Sequence, residues 1–340
     1  MLTSHPGIMG FSSVVIDTDF LMVVTPLDFV SSNTINLDEA FEVDWGDGIF
    51  TSYAAGDAIS VASNADTGLI TVRSDNSVVT IFKLKTNTFT EVDVQKSNSI
   101  TSLLGVCSLI TNLTTFAMNN SANVTNFIGA WQGCTSLASM PLIDTTAGTD
   151  FSQAWQDCTS LTSFPPINVS AGTTFQQTWQ GCSGLTGTFP LITMLVGFNL
   201  VGAWSDCSGL TGFPLINMTG VASLTSAWGG CSSLTTFAGL NLSSVASLNG
   251  AWKGCTDLAS LPTLDTSSCT DFTGTFEDCT SLVCLSTLDT TAGTITTGLF
   301  TNTPLLTAPS ALGSPSEQEQ LANVGGSPNG LDYTNPSACP

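Results

Sequence analysis

Tryptophan recurs through the middle of this chain at nearly constant intervals. Trp131, Trp155, Trp179, Trp204, Trp228 and Trp252 are followed at the same phase by Phe276 and Phe300, with spacings of 24, 24, 25, 24, 24, 24 and 24 residues. A cysteine stands three residues after each of the first seven (Cys134, Cys158, Cys182, Cys207, Cys231, Cys255 and Cys279), and a leucine three further on, from Leu137 to Leu282. The single 25-residue step coincides with an extra residue in Gly187-Thr188-Phe189. An earlier, divergent copy reads Leu104 and Cys107, 27 residues ahead of Trp131 and Cys134. Self-similarity at such a period marks a repeat architecture, in which one unit cannot bury its apolar face alone and stacking on neighbours does so.

The consensus of a unit is F-x-x-A-W-x-G-C-x-S-L-T-x-F-P-x-I-N, followed by a polar run of Ser, Thr, Ala and Gly. Its first half places apolar residues at i, i+3, i+4 and i+7, which predicts a short helical turn. Its second half, a leucine, an aromatic or leucine beside the proline and then an isoleucine, predicts a short strand. The expected fold class is mainly β with short helices, arranged as a solenoid of about eight rungs. Equivalent positions would then align about 4.8 Å apart, giving a rod on the order of 40 Å long. The Trp and Cys ladders are expected in its core, the cysteines as small buried apolar groups. An exposed tryptophan column that stacks sugar rings is the alternative.

In Phe151-x-x-Ala154-Trp155-x-x-Cys158-x-Ser160-Leu161-Thr162-x-Phe164-Pro165, with Asp144-Thr145 or Asn168-Val169-Ser170 opening the next turn, the units resemble the leucine-rich repeats of the BspA-like family. The resemblance covers roughly residues 100 to 303 and implies a leucine-rich-repeat fold. Such repeats occur in bacterial adhesins, lipoproteins, protist surface proteins and phage particles, so the resemblance implies a fold more than a function.

Three segments follow: 1–90, 91–303 with the repeats, and 304–340. The first lacks the period. Phe20 to Val24, Ala40 to Val43, Gly68 to Val72 and Val78 to Leu84 read as strands of a small β-sandwich. Val43-Asp44-Trp45-Gly46-Asp47-Gly48 is similar to the W-G-D-G turn of PKD domains. Asp44 and Asp47 offer two oxygens towards the six to eight that calcium takes. The plainer reading is a turn at Asp47-Gly48 with Trp45 anchoring the core. Residues 304–340 hold six of the fourteen prolines and read as an irregular cap or tail.

Charge narrows the function classes. The chain has 5 Lys+Arg against 26 Asp+Glu, a net charge of −21, and only 9% charged residues. That argues against nucleic acid, which needs clustered cations, and against an anionic membrane surface. No apolar run is long enough to span a bilayer, so no membrane insertion is expected. The single histidine, His5, leaves little scope for His-based acid–base chemistry or zinc. No G-x-S-x-G, phosphate loop or convergent carboxylate pair is present, so no catalytic residue is assigned and the protein is read as a non-enzyme.

The N-terminus lacks the charged and apolar regions of a signal peptide, and eleven cysteines is an odd number. Synthesis in a cytoplasm with reduced thiols is expected, and chance accounts for the six N-x-S/T triplets. Cys269, Cys284 and Cys339 fall outside the ladder phase, and a Cys269–Cys284 bond is conceivable.

The expected role is a phage virion structural protein, a tail fibre or capsid-attached spike, assembled in the host cytoplasm and touching the host. Its partners would be other virion proteins and a host-surface glycan or protein. No heptad run specifies a trimer, and a homo-oligomer stays open. Loop positions such as Thr145, Thr146 and Ser170 are the expected contacts. A bacterial cell-surface adhesin is the second reading and a glycan depolymerase the third. No cofactor is expected, calcium at Asp44 and Asp47 apart.

Overall fold

In the computed structural model the described residues are 20–26, 34–37, 39–44, 48–55, 59–60, 70–74, 82–84, 89–97 and 99–304, apart from 141–142, 193, 195–197, 263, 286–291 and 295–296. They are strand-rich and contain no helix. Eight strands precede the repeats: β1 (Phe20–Pro26), β2 (Thr34–Leu37), β3 (Phe41–Asp44), β4 (Phe50–Tyr53), β5 (Ile59–Ser60), β6 (Ile70–Ser74), β7 (Phe82–Leu84) and β8 (Phe89–Ser97). With β9 (Thr115–Met118) they form a six-stranded sheet, β4-β3-β6-β1-β8-β9, and a three-stranded sheet, β5-β2-β7. Alternation explains the burial: in β3, Phe41 and Val43 point inward while Glu42 and Asp44 are partly exposed. On the outer face Arg73 lies opposite Glu42, pairs with it at 2.7 Å and sits 3.6 Å over the Phe50 ring.

β8 joins this sheet to the repeats. On one side it runs antiparallel to β1, and on the other parallel to β9, pairing Glu91 with Thr115 and Val94 with Met118. Each of those pairs is 24 residues apart, so the repeat offset already operates from β8. At the same end the β7 amide of Leu84 donates to the Val106 carbonyl at 2.9 Å.

The segments expected to be helical are ribbons of turns instead. In Phe127 to Cys134 the amides alternate in their partners. Those of Phe127, Gly129, Trp131 and Gly133 donate to the carbonyls of Asp150, Ser152, Ala154 and Gln156 in the next unit, at 2.7–2.9 Å. Those of Ala130, Gln132 and Cys134 donate three residues back within their own unit, at 3.1–3.2 Å. A helix would spend every amide on its own i−4 carbonyl and leave the units unlinked.

The ribbon also requires φ > 0 twice per unit, four residues apart: Gly129 and Gly133, Gln153 and Asp157, Gly202 and Asp206, Gly274 and Asp278. Glycine and aspartate tolerate that conformation better than most residues.

This register also reassigns the first unit. The Cys107 amide donates to the Ala130 carbonyl just as that of Trp131 donates to Ala154, so Cys107 occupies the tryptophan position and Ile110 the cysteine position. The offset is therefore 24 residues here too, not 27; Ser102 pairs with Asn126 in the same register. Further parallel bridges run Asn126, Asp150, Thr174, Asn199 and, later, Ser223, Ser247, Asp271.

The second half of each unit forms only fragments of strand: β10 (Gly187–Thr188), β11 (Leu210–Phe213), β12 (Thr236–Phe237), β13 (Ser260–Leu261) and β14 (Cys284–Leu285). β10-β11-β12 and β13-β14 are parallel. Pro190, Pro214 and Pro262, which have no N–H to give, follow β10, β11 and β13 closely.

Inside, the six indoles stack with centroids 5.3–5.9 Å apart and planes within 13°, continued by Phe276 and Phe300. A second column, including Phe164, Phe189, Phe213 and Phe237, meets the indoles edge-on at 4.7–5.9 Å.

Two substitutions probe this packing. Trp179 is fully buried, so Trp179→Ala is expected to cost about 3–5 kcal/mol in urea unfolding. Leu109 has φ +65° and a side chain 65% exposed, at a position held elsewhere by Gly, Asp or Asn. Leu109→Asn is expected to stabilise the chain by about 1 kcal/mol in the same assay, since it relieves a left-handed leucine.

Candidate functional site

The reactive-looking groups are consumed by the interior. Each ladder thiol from Cys158 to Cys279 donates to the carbonyl of the preceding unit's tryptophan, and Cys134 to that of Cys107, all at 3.0–3.2 Å. All nine cysteines among the described residues are unbridged and buried. Burial pushes their thiols up, to about 12 for Cys134, Cys231 and Cys279. Thiolate chemistry at neutral pH is thereby suppressed.

The tryptophans are 0–1% exposed, which removes them as a sugar-stacking platform. Their six indole N–H groups find no acceptor. Each such omission costs about 1–3 kcal/mol. Burying an aromatic of 150–250 Å² at about 25 cal/mol per Å² returns about 4–6 kcal/mol, so burial wins.

What faces outward is mostly amide and hydroxyl. Gln132 donates to Gln156 at 2.6 Å and Gln156 to Gln180 at 2.7 Å, one amide per unit. In the same column Lys253 pairs with Glu277 at 2.9 Å. The exposed threonines Thr125, Thr149 and Thr173 each donate a hydroxyl to the carbonyl 24 residues earlier, at 3.1–3.3 Å. Thr162 and Thr235 do the same on another edge.

The bridge positions carry a feature that the consensus did not register. Asn126, Asp150, Asn199 and Asp271 each accept, through the side chain, the amide two residues on, at 2.9 Å. Ser and Thr alternate with Asn and Asp at these positions, the group of residues that form such local caps. Burial raises the Asp271 carboxyl, but hydrogen bonds from Thr273, Asn249 and Ser247 outweigh it and leave the group lowered.

The expected contact residues divide. Thr145 is 1% exposed and donates its hydroxyl to the Asn168 carbonyl at 2.6 Å, so it is an interior strut and not a contact. Its inward direction follows from the pattern Ile143 in, Asp144 out, Thr145 in, Thr146 out. Thr146 is exposed, with its hydroxyl on Asp144, whose carboxyl that bond lowers. Ser170 is half-buried, its amide bound to Asn168 Oδ1.

Asp44 accepts the Gly48 amide at 2.9 Å, closing the turn; Asp47 and Trp45 lie outside the described residues. Among the described residues no three His, Cys, Asp or Glu side chains gather around a metal-sized space. Cys269 is a free, buried thiol with carbonyl neighbours at 3.4–3.6 Å, not half of a disulfide with Cys284. Cys339 lies outside the described residues, and no side-chain placement is described for Cys284.

No protein-family model, curated protein or solved structure matches the chain.

A pH dependence follows from the thiols. In the unfolded chain a thiol titrates near 8.5, whereas Cys231 in the fold is pushed up to about 12. Between those values the folded state holds the extra proton, so stability is full below about pH 8 and falls as pH rises towards 12. The fall should approach about 1.4 kcal/mol per pH unit for each such thiol. Urea unfolding across pH 7–10.5 is expected to show this decline, and Cys231→Ala to flatten it by about one proton's worth.

Proposed function

We propose that the chain is a non-enzymatic structural protein of a bacteriophage particle, a tail fibre or capsid-attached spike that contacts the host surface. In this reading residues 91–303 form a leucine-rich-repeat-like solenoid of about eight rungs and the preceding strands a small β-sandwich. The observation that carries the reading is the division of labour within each unit. Aromatic and thiol side chains are spent on stacking, and the outside is left to a repeated array of hydroxyls and amides.

A rigid face of that kind suits many weak, equivalent contacts, and several copies on one particle would multiply them. The thiols act as hydrogen-bond donors to tryptophan carbonyls, which requires them reduced. Assembly in a reducing cytoplasm followed by release in a particle meets that requirement.

Immunogold electron microscopy of an infected culture, with antibody against the full chain, tests the proposal. Gold on phage particles is expected, and its position separates a fibre from capsid decoration. Gold confined to the envelopes of uninfected cells would overturn the virion reading in favour of a surface adhesin.

A further inference from the structure

We propose that the sheet β10-β11-β12 carries a binding site for a neutral sugar ring, centred on Gly212 and bracketed by the hydroxyls of Thr188 and Thr236. The site rests on the host-contact reading above and names its ligand class.

Parallel pairing sets Thr188, Gly212 and Thr236 side by side on three successive units. A Cβ placed on Gly212 would stand 2.9 Å from Thr188 Oγ1 and 3.0 Å from Thr236 Oγ1, so both hydroxyls converge on the space above this glycine. Gly212 is the one described glycine with threonine hydroxyls on both sides.

These two hydroxyls differ from the others on the surface. Thr125, Thr149, Thr162, Thr173 and Thr235 commit theirs to a carbonyl of the preceding unit. Those of Thr188 and Thr236 have no partner among the described residues, and both side chains are exposed. Each can donate one hydrogen bond and accept two.

Three residues beyond Thr188 and Gly212, past a proline in each case, stand Leu191 and Leu215, exposed by 65% and 63%. The equivalent position after Thr236 is Gly239, with nothing within 4 Å of where a Cβ would be. Adjacent units thus offer apolar surface on one side and open space on the other.

Charge selects among ligands. Asp206 is the only charged residue between Asp157 and Lys253. A ligand here meets no ion to pair with, while the net charge of −21 disfavours anions. Hydroxyl pairs over apolar C–H surface are the chemistry of an uncharged pyranose. The contact is weak for one copy and gains strength by repetition.

The test uses the full chain with labelled Thr and Leu methyl groups, titrated with the methyl glycosides of glucose, galactose and N-acetylglucosamine. At least one sugar is expected to shift the methyl signals of Thr188, Thr236, Leu191 and Leu215. Thr188→Val/Thr236→Val, which keeps the branched shape, should weaken that response at least about tenfold with an unchanged melting temperature. Gly212→Ala should do likewise by displacing both hydroxyls, and sialyl-lactose should give no response.

Shifts located elsewhere, no shift with any of the three sugars, or an undiminished response in the Val double variant would each overturn the site. So would a larger response of the same methyls to a short neutral peptide. Gold on phage particles together with any of those results would remove the site while leaving the virion reading intact.

Discussion

The fold depends on how a turn ribbon divides its amides. In each unit every second N–H from the conserved aromatic to the residue two beyond tryptophan crosses to the next unit, and the intervening ones close turns within their own. This satisfies the backbone donors of a segment that is almost entirely buried, where an orphaned N–H would be costly. It also couples every unit to its neighbour, so that no unit is complete alone. The left-handed residues four apart are the geometric condition for that alternation.

Once the backbone fixes the offset, side chains at the same phase must meet their own kind. Like aromatic rings then stack, and like thiols meet like carbonyls. Like charges do not sit next to one another: Asp157 and Asp206 are separated by Gly181, and Asp206 and Asp278 by Gly230 and Gly254. Even so, burial and the Asp206 charge raise the Asp157 carboxyl, in that order of importance. Neutral amides stack without that penalty, as Gln132, Gln156 and Gln180 do. The scarcity of charge in the repeats is therefore a consequence of the architecture as much as a clue to partners.

The period, the buried Trp, Cys and Leu columns and several early strands were legible in the sequence because they depend only on burial repeating at a fixed phase. The helix was misread for a physical reason. A turn ribbon buries Phe127, Ala130, Trp131 and Cys134, the same i, i+3, i+4 and i+7 set as one helical face. The discriminating signal was the pair of small or polar residues two before and two after tryptophan, such as Gly250 and Gly254, which a helix would not favour. Cys107 was placed one position out because its identity matched the wrong column, and only the hydrogen-bond register corrects it. Thr145 was taken for a loop contact because a polar residue beside a turn gives no sign of the buried carbonyl it serves. The Gly212 site was invisible for a similar reason, since its three residues come from three units.

Scalar coupling across hydrogen bonds, measured by NMR on the deuterated chain, tests the turn ribbon most directly. Coupling from the Trp179 amide nitrogen to the carbonyl carbon of Ala203, in the next unit, is expected. Coupling from the same nitrogen to the carbonyl of Phe175, four residues back, would instead mean a helix and would contradict the alternating ribbon on which the stacking rests.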